Sequence, residues 1–354
     1  MRAIALFSIL LLLVSMTGLQ NVKKDSADLI IANGRLPKII TDIQGNIYLA
    51  YGIGDSIMYV SSSNQGASFS SPQLVAVLPK LFANAMRGPQ IAATSNGIII
   101  TANTEYGNIY CYHRDAAGKW SKGIKVNDVD SVSREALTSL SADGSHAFAV
   151  WLDVRANGGK GQRLYGAQSH DGGLTWSKNI MIYASPDKTI CECCKPSVLV
   201  KGNKIYTMFR NWLNGNRDLY LVKSSDAGKS FGEATKLGVG NWKLNGCPMD
   251  GGGLALNANG TAETVWRREG NIFAFSEGKP ETLLGEGRSC SMASVNGKNV
   301  YTWTKNGEVL VMTPVKEIKI LGKGSVPVIN AVTNEKLICV WENEKQIHAS
   351  VIKL

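Results

Sequence analysis

The chain has no apolar stretch of membrane-spanning length. Its longest apolar run, Ala3 to Val14, is too short for a bilayer core of ~30 Å and follows Arg2, with Ser15, Thr17 and Gly18 behind it. That order is the pattern of a secretory signal over residues 1–18 rather than an anchor helix, and no lipid-acceptor cysteine stands near it. The basic residues, although they exceed the acidic ones by 38 to 28, are not gathered into a stripe, and no nucleic-acid-binding motif is present. Nucleic acid and a membrane span are therefore excluded as expectations. What remains is an exported chain, periplasmic or extracellular, in a compartment that permits disulfides. A monomer that requires no cofactor is expected.

What is present is turn and strand chemistry. Thirty-seven glycines punctuate runs in which apolar and polar residues alternate, the period of a half-buried strand. A unit of a short strand, a turn, a strand ending in an aromatic residue, a third strand, a polar turn and a weaker fourth strand recurs about seven times over 25–354. First strands begin near Pro37, Pro89, Ala136, Pro196, Gly252, Ser291 and Pro327, and second strands end at Tyr51, Trp151, Phe209, Trp266, Trp303 and Trp341. Four-stranded units repeated radially make a β-propeller, here one all-β domain. The last unit lacks a fourth strand, and Asp28-Leu29-Ile30-Ile31-Ala32 supplies one, which predicts seven blades closed by the N-terminal segment. Six blades is the alternative.

Ser169 to Trp176 reads Ser-His-Asp-Gly-Gly-Leu-Thr-Trp. Ser224 to Phe231 and Ser62 to Phe69 are close variants, and His113 to Trp120 is a decayed one. Asp or Asn can bond the backbone amides of such a turn while Gly accepts a positive φ, so the motif is structural. These turns resemble the Asp-boxes (BNR repeats) of the sialidase superfamily. Gly34-Arg35-Leu36-Pro37 resembles the motif carrying the first arginine of the sialidase carboxylate triad; Met208-Phe209-Arg210 resembles the second, and Arg288 the third. The resemblance implies a propeller glycosidase, but the tyrosine nucleophile is missing where the sequence reads Ser289-Cys290-Ser291-Met292. Asp55 and Glu269 are the only acids offered for catalysis, so whether the chain is an enzyme stays open. The run Cys191-Glu192-Cys193-Cys194 with its sequel resembles a group of uncharacterised exported bacterial sialidase-like proteins.

Strand alternation sorts loops into two faces. First-strand starts and second-strand ends share one, nearest the channel, and this places Arg35, Arg87, Arg134, Asp153, Arg155, Arg210, Asp250, Arg267 and Arg288 around one mouth. Arginine forks grip carboxylate, sulfate or phosphate, so an acidic sugar or other small anion is the expected ligand. The competing reading is that the arginines pair with acids and fasten neighbouring blades. A non-catalytic glycan- or protein-binding propeller is one alternative, and an exported metal- or redox-handling protein is another.

Cys111 and Cys339 lie within strands and are expected to pack as apolar residues. Cys191, Cys193, Cys194, Cys247 and Cys290 remain. In extended chain Cys193 and Cys194 would point to opposite faces, so each is expected to seek a distant partner, and a disulfide from the 191–194 cluster to Cys247 is the first expectation. Three or four thiolates around copper or zinc, with Met249 as a soft ligand, is the second.

Overall fold

In a computed structural model that describes residues 28–354, the alternating sequence forms 28 strands and, among the described residues, one short 3₁₀ turn (Asn157–Gly159). The signal read at residues 1–18 lies outside the described residues. The strands make seven four-stranded antiparallel sheets. Six are consecutive in sequence, covering 35–77 (blade 1), 90–125 (blade 2), 138–183 (blade 3), 197–236 (blade 4), 252–286 (blade 5) and 288–323 (blade 6). Blade 7 takes its three inner strands from 325–353 and its outer one from Leu29–Asn33, which pairs with Gln346–Lys353 in the register Leu29 to Ala349 and Ile30 to His348. Asp28 Oδ1 adds a hydrogen bond to His348 Nδ1 at 2.7 Å. Closure by the N-terminal strand therefore decides for seven blades over six.

The six aromatic residues at second-strand ends are all buried, none more than 2% exposed. Each buries an area that contributes roughly 4–6 kcal/mol as an upper figure. Three of the indoles also find acceptors: Trp151 Nε1 donates to Asp153 Oδ2 at 2.8 Å, Trp303 Nε1 to Glu286 O at 3.0 Å and Trp341 Nε1 to Lys323 O at 2.8 Å, whereas the Tyr51 hydroxyl is buried without a partner. Glycine at the start of blades 1, 6 and 7 follows from this packing, because a Cβ on Gly34, Gly287 or Gly324 would sit 2.3–2.4 Å from a ring atom of Tyr51, Trp303 or Trp341. The next turn of backbone is also shared. Leu36, Ser289 and Val326 each take a φ of 53°, and each first strand bulges there.

On the face away from the first-strand starts, the polar turns form as their chemistry requires. Ser169 Oγ donates to Asp171 Oδ1 at 2.7 Å, Thr175 N and Oγ1 donate to the same carboxylate at 2.9 and 2.6 Å, and Gly173 turns at φ 90°. Ser224, Asp226, Gly228 and Ser230 repeat the arrangement, and Ser62, Asn64 and Gly66 repeat it with an amide in place of the carboxylate. Burial would raise the Asp171 carboxyl, but the bonds from Thr175, Ser169 and Leu174 outweigh it and hold the group at about 2. These turns fix blade edges and contribute nothing to the channel. No helix among the described residues is long and apolar enough to cross a membrane.

Candidate functional site

The seven first strands stand around a central channel, with about 420 Å³ of space along its length and a cavity of about 100 Å³ where those strands begin. Small residues admit the strands to the axis. A Cβ on Gly253 would lie 2.8 Å from Met292 N, and one on Gly252 would lie 2.5 Å from Val265 O and 2.6 Å from the Met208 methyl carbon.

Two lysines face the small cavity. Lys38 comes from the first strand of blade 1 and Lys195 from the residue before Pro196 at the start of blade 4. The Lys195 ammonium donates to Gln90 Oε1 at 2.8 Å, and the Gln90 amide in turn donates to Gly88 O at 2.8 Å. Burial pushes the Lys195 amine well below its ordinary value, and the nearby charge of Lys38 pushes it further; burial lowers Lys38 as well. Asp250 is the one acid in the cavity wall. It is 1% exposed, accepts from Gly251 N at 2.9 Å and Ser289 N at 3.3 Å, and lies 3.6 Å from Arg267. Burial outweighs those partners and raises its carboxyl above the ordinary range. The cavity wall thus offers two amines to one carboxyl. Neither lysine was singled out from the sequence, although Pro37-Lys38 and Lys195-Pro196 both stand at first-strand starts; placing channel residues two positions before each start passed over them.

The arginines are distributed differently from a converging triad. Arg35 bonds Glu342 at 2.9 Å and so ties blade 1 to blade 7. Arg87 donates to Glu135 O and bonds its carboxylate at 2.9 Å, tying blade 2 to blade 3. Arg134 donates to Ser131 O within its own loop, and Arg288 is exposed. Asp153, fully buried, accepts from Trp151 Nε1 at 2.8 Å and from Arg155, which also bonds Asp128. Arg210 is 2% exposed and donates to Arg217 O at 2.6 Å and Arg267 O at 2.9 Å. Arg267 donates to Pro248 O, and both guanidiniums lie over the Trp242 ring. Of the set, Arg210, Arg267 and Asp250 are brought together beside the cavity; Arg35, Arg87, Arg134 and Asp153 have partners of their own. The two acids proposed for catalysis are apart. Asp55 is exposed and accepts from Lys80 N at 3.1 Å, and Glu269 sits exposed in a hairpin turn at φ 50°.

All seven cysteines are free of disulfides. Cys111 and Cys339 are fully buried in strands, as their positions predict. The expected cross-link to Cys247 is not formed: that residue is exposed, whereas Cys191, Cys193 and Cys194 are buried. The extended-chain expectation fails because residues 192–194 form a turn, which brings the Cys193 and Cys194 sulfurs to one side with Cys191, all three within 4.8 Å of one another. Cys290 instead lines the cavity, where burial first, and the Asp250 carboxylate second, raise its thiol well above the ordinary value. Arg217 donates to Cys191 Sγ at 3.0 Å. Hydrogen bonds from the Cys193 and Cys194 thiols, with the charge of Arg210, favour the thiolate at Cys191.

In sequence, no family model and no curated protein matches the chain. In structure it is similar to the BP39L lectin of Burkholderia pseudomallei (TM-score 0.65, 8% identity, 91% of this chain and 96% of that one). It is similar also to a Penicillium chrysogenum alpha-L-arabinanase complexed with arabinobiose (TM-score 0.55, 11% identity, 94% and 98%) and to the Hadza microbial sialidase Hz136 (TM-score 0.52, 13% identity, 91% and 66%). At these identities, what this chain shares with the lectin and the two hydrolases is the fold.

Proposed function

We propose that this is an exported propeller whose channel mouth binds a small anion or the acidic group of a sugar, with the anion received between Lys38 and Lys195. One observation carries the reading: two enclosed amines face one cavity in which the single carboxyl is itself driven toward its neutral form. An anion there would satisfy both ammoniums and remove their mutual repulsion. The cavity of about 100 Å³ suits a carboxylate or sulfate group reaching in from the face rather than a whole sugar ring. Structural neighbours named as a lectin, an arabinanase and a sialidase support a glycan as the larger body of the ligand. Export rests on the N-terminal apolar run.

Binding is favoured over hydrolysis. Glycoside cleavage takes two carboxyl groups across the scissile bond, and the cavity wall has only Asp250. Titration calorimetry with sulfate, glucuronate and a neutral arabinoside tests the reading. The two anions are expected to bind and the neutral sugar not. Affinity should fall as salt rises, and fall again as pH passes the lowered value of Lys195, where the amine loses its proton. Equal binding of the neutral sugar, or anion binding unchanged by Lys195→Met, overturns it.

A further inference from the structure

Beside the cavity, and not needed for anion binding, three sulfurs are gathered where the chain turns before blade 4. We propose that Cys191, Cys193 and Cys194 form a three-sulfur site for a single thiophilic monovalent ion, copper(I). The geometry is already that of a ligand set. The three sulfurs lie within 4.8 Å of one another, Cys191 and Cys193 are 3.8 Å apart, and none of the residues is more than 4% exposed. Met249 packs against the cluster and covers it with a soft, apolar side chain.

Charge selects the ion. Three thiolates with a monovalent ion leave two negative charges, and two guanidiniums are in place: Arg217 at 3.0 Å from Cys191 Sγ, and Arg210, whose charge acts on both Cys191 and Cys194. The buried assembly is then neutral, the condition under which buried charge is tolerated. Zinc(II) on the same three thiolates would leave an uncompensated positive charge. It would also want a fourth ligand to complete its tetrahedron, and none of the His, Asp or Glu residues among those described joins the three cysteines. Cys290 lies outside the cluster and Cys247 is exposed, so neither belongs to the set. On binding, sulfur–copper bonds form, the thiols release their protons to solvent, and no electron is transferred. Glu192, between two of the ligands, is exposed, so the turn that carries them lies close to the surface.

The test is titration of the whole protein, purified without added reductant and handled without oxygen, with copper(I) delivered from a competing chelator. One equivalent should bind, with a sulfur-only first shell in X-ray absorption and thiolate-to-copper charge transfer in the ultraviolet. Cys193→Ser and Cys194→Ser should each weaken binding at least tenfold, and Cys247→Ser should leave it unchanged. Arg217→Gln, which alters no ligand, should weaken it severalfold and guards against a folding defect in the cysteine variants. A disulfide within 191–194 in the purified protein overturns the site. So do copper uptake that survives both serine changes and displacement of copper by equimolar zinc. Anion binding at the channel mouth is measured separately, so failure of one proposal leaves the other standing.

Discussion

Replacing Lys195 by methionine should separate function from stability, with opposite signs. The substitution removes an enclosed ammonium and its repulsion with Lys38. By analogy with buried ion pairs exchanged for apolar residues of similar volume, this should stabilise the fold by about 1–4 kcal/mol. It also leaves Gln90 Oε1 without its 2.8 Å donor. An orphaned buried acceptor costs about 1–3 kcal/mol, toward the low end here because the cavity has room for water to take the place of the amine. With the cost near ~1 kcal/mol, the net is a change of roughly 0–3 kcal/mol toward stability. With an unfolding entropy of roughly 0.7 kcal/mol/K for a chain of this size, the melting temperature should stay level or rise by about 4 °C at most. Arg210→Met is the contrast. It strands the carbonyls of Arg217 and Arg267, which Arg210 holds at 2.6 and 2.9 Å, and should cost about 2–6 kcal/mol, or roughly 3–9 °C. Scanning calorimetry of the two variants, paired with sulfate titration, measures both effects. The pH dependence supplies a second check. Because Lys195 is depressed in the folded state, the unfolded chain binds more protons between that lowered value and the ordinary 10.5, so wild-type stability should rise with pH across this window and the methionine variant should rise less. A Lys195→Met protein that melts as far below wild type as Arg210→Met would refute the reasoning, since the amine would then be a cross-brace and not a ligand group held at a cost.

Removal of residues 28–33 should lower the melting temperature in one cooperative step, because it takes away the outer strand of blade 7 and the Asp28–His348 pair; an unchanged melt would contradict ring closure. Asp171→Ala should destabilise the protein at neutral pH by about 1–2 kcal/mol, discounted for partial exposure, through loss of the bonds to Thr175 and Leu174. The Asp171 carboxyl is depressed to about 2, so its contribution is full above 3.8 and disappears as pH falls toward 2; acid melts of the variant and wild type should converge there. Fluorogenic sialosides should show no turnover, since the cavity wall has neither a tyrosine nor a second carboxyl; robust release of the aglycone would reverse the preference for binding over hydrolysis.

Everything that depends on short-range pattern was legible in the chain itself. Strand alternation, a buried aromatic at six of the seven second-strand ends, and the Ser-x-Asp-x-Gly turns are interactions within a blade or between residues a few positions apart, so they leave a periodic mark. Even closure of the ring could be counted, because a missing fourth strand at one end matched a spare strand at the other. The chemistry at the channel mouth could not be read that way. Whether Arg35 grips a ligand or Glu342 depends on a residue 307 positions away brought next to it by closure of the ring. Lys38 and Lys195 meet because blades 1 and 4 both direct their first strands at the axis, and the single turn at 192–194, rather than an extended course, puts three sulfurs on one side. Local hydrogen bonding and burial determine the blade, which the sequence repeats; only the closed ring and the conformation of its unrepeated loops decide which charges and thiols face one another.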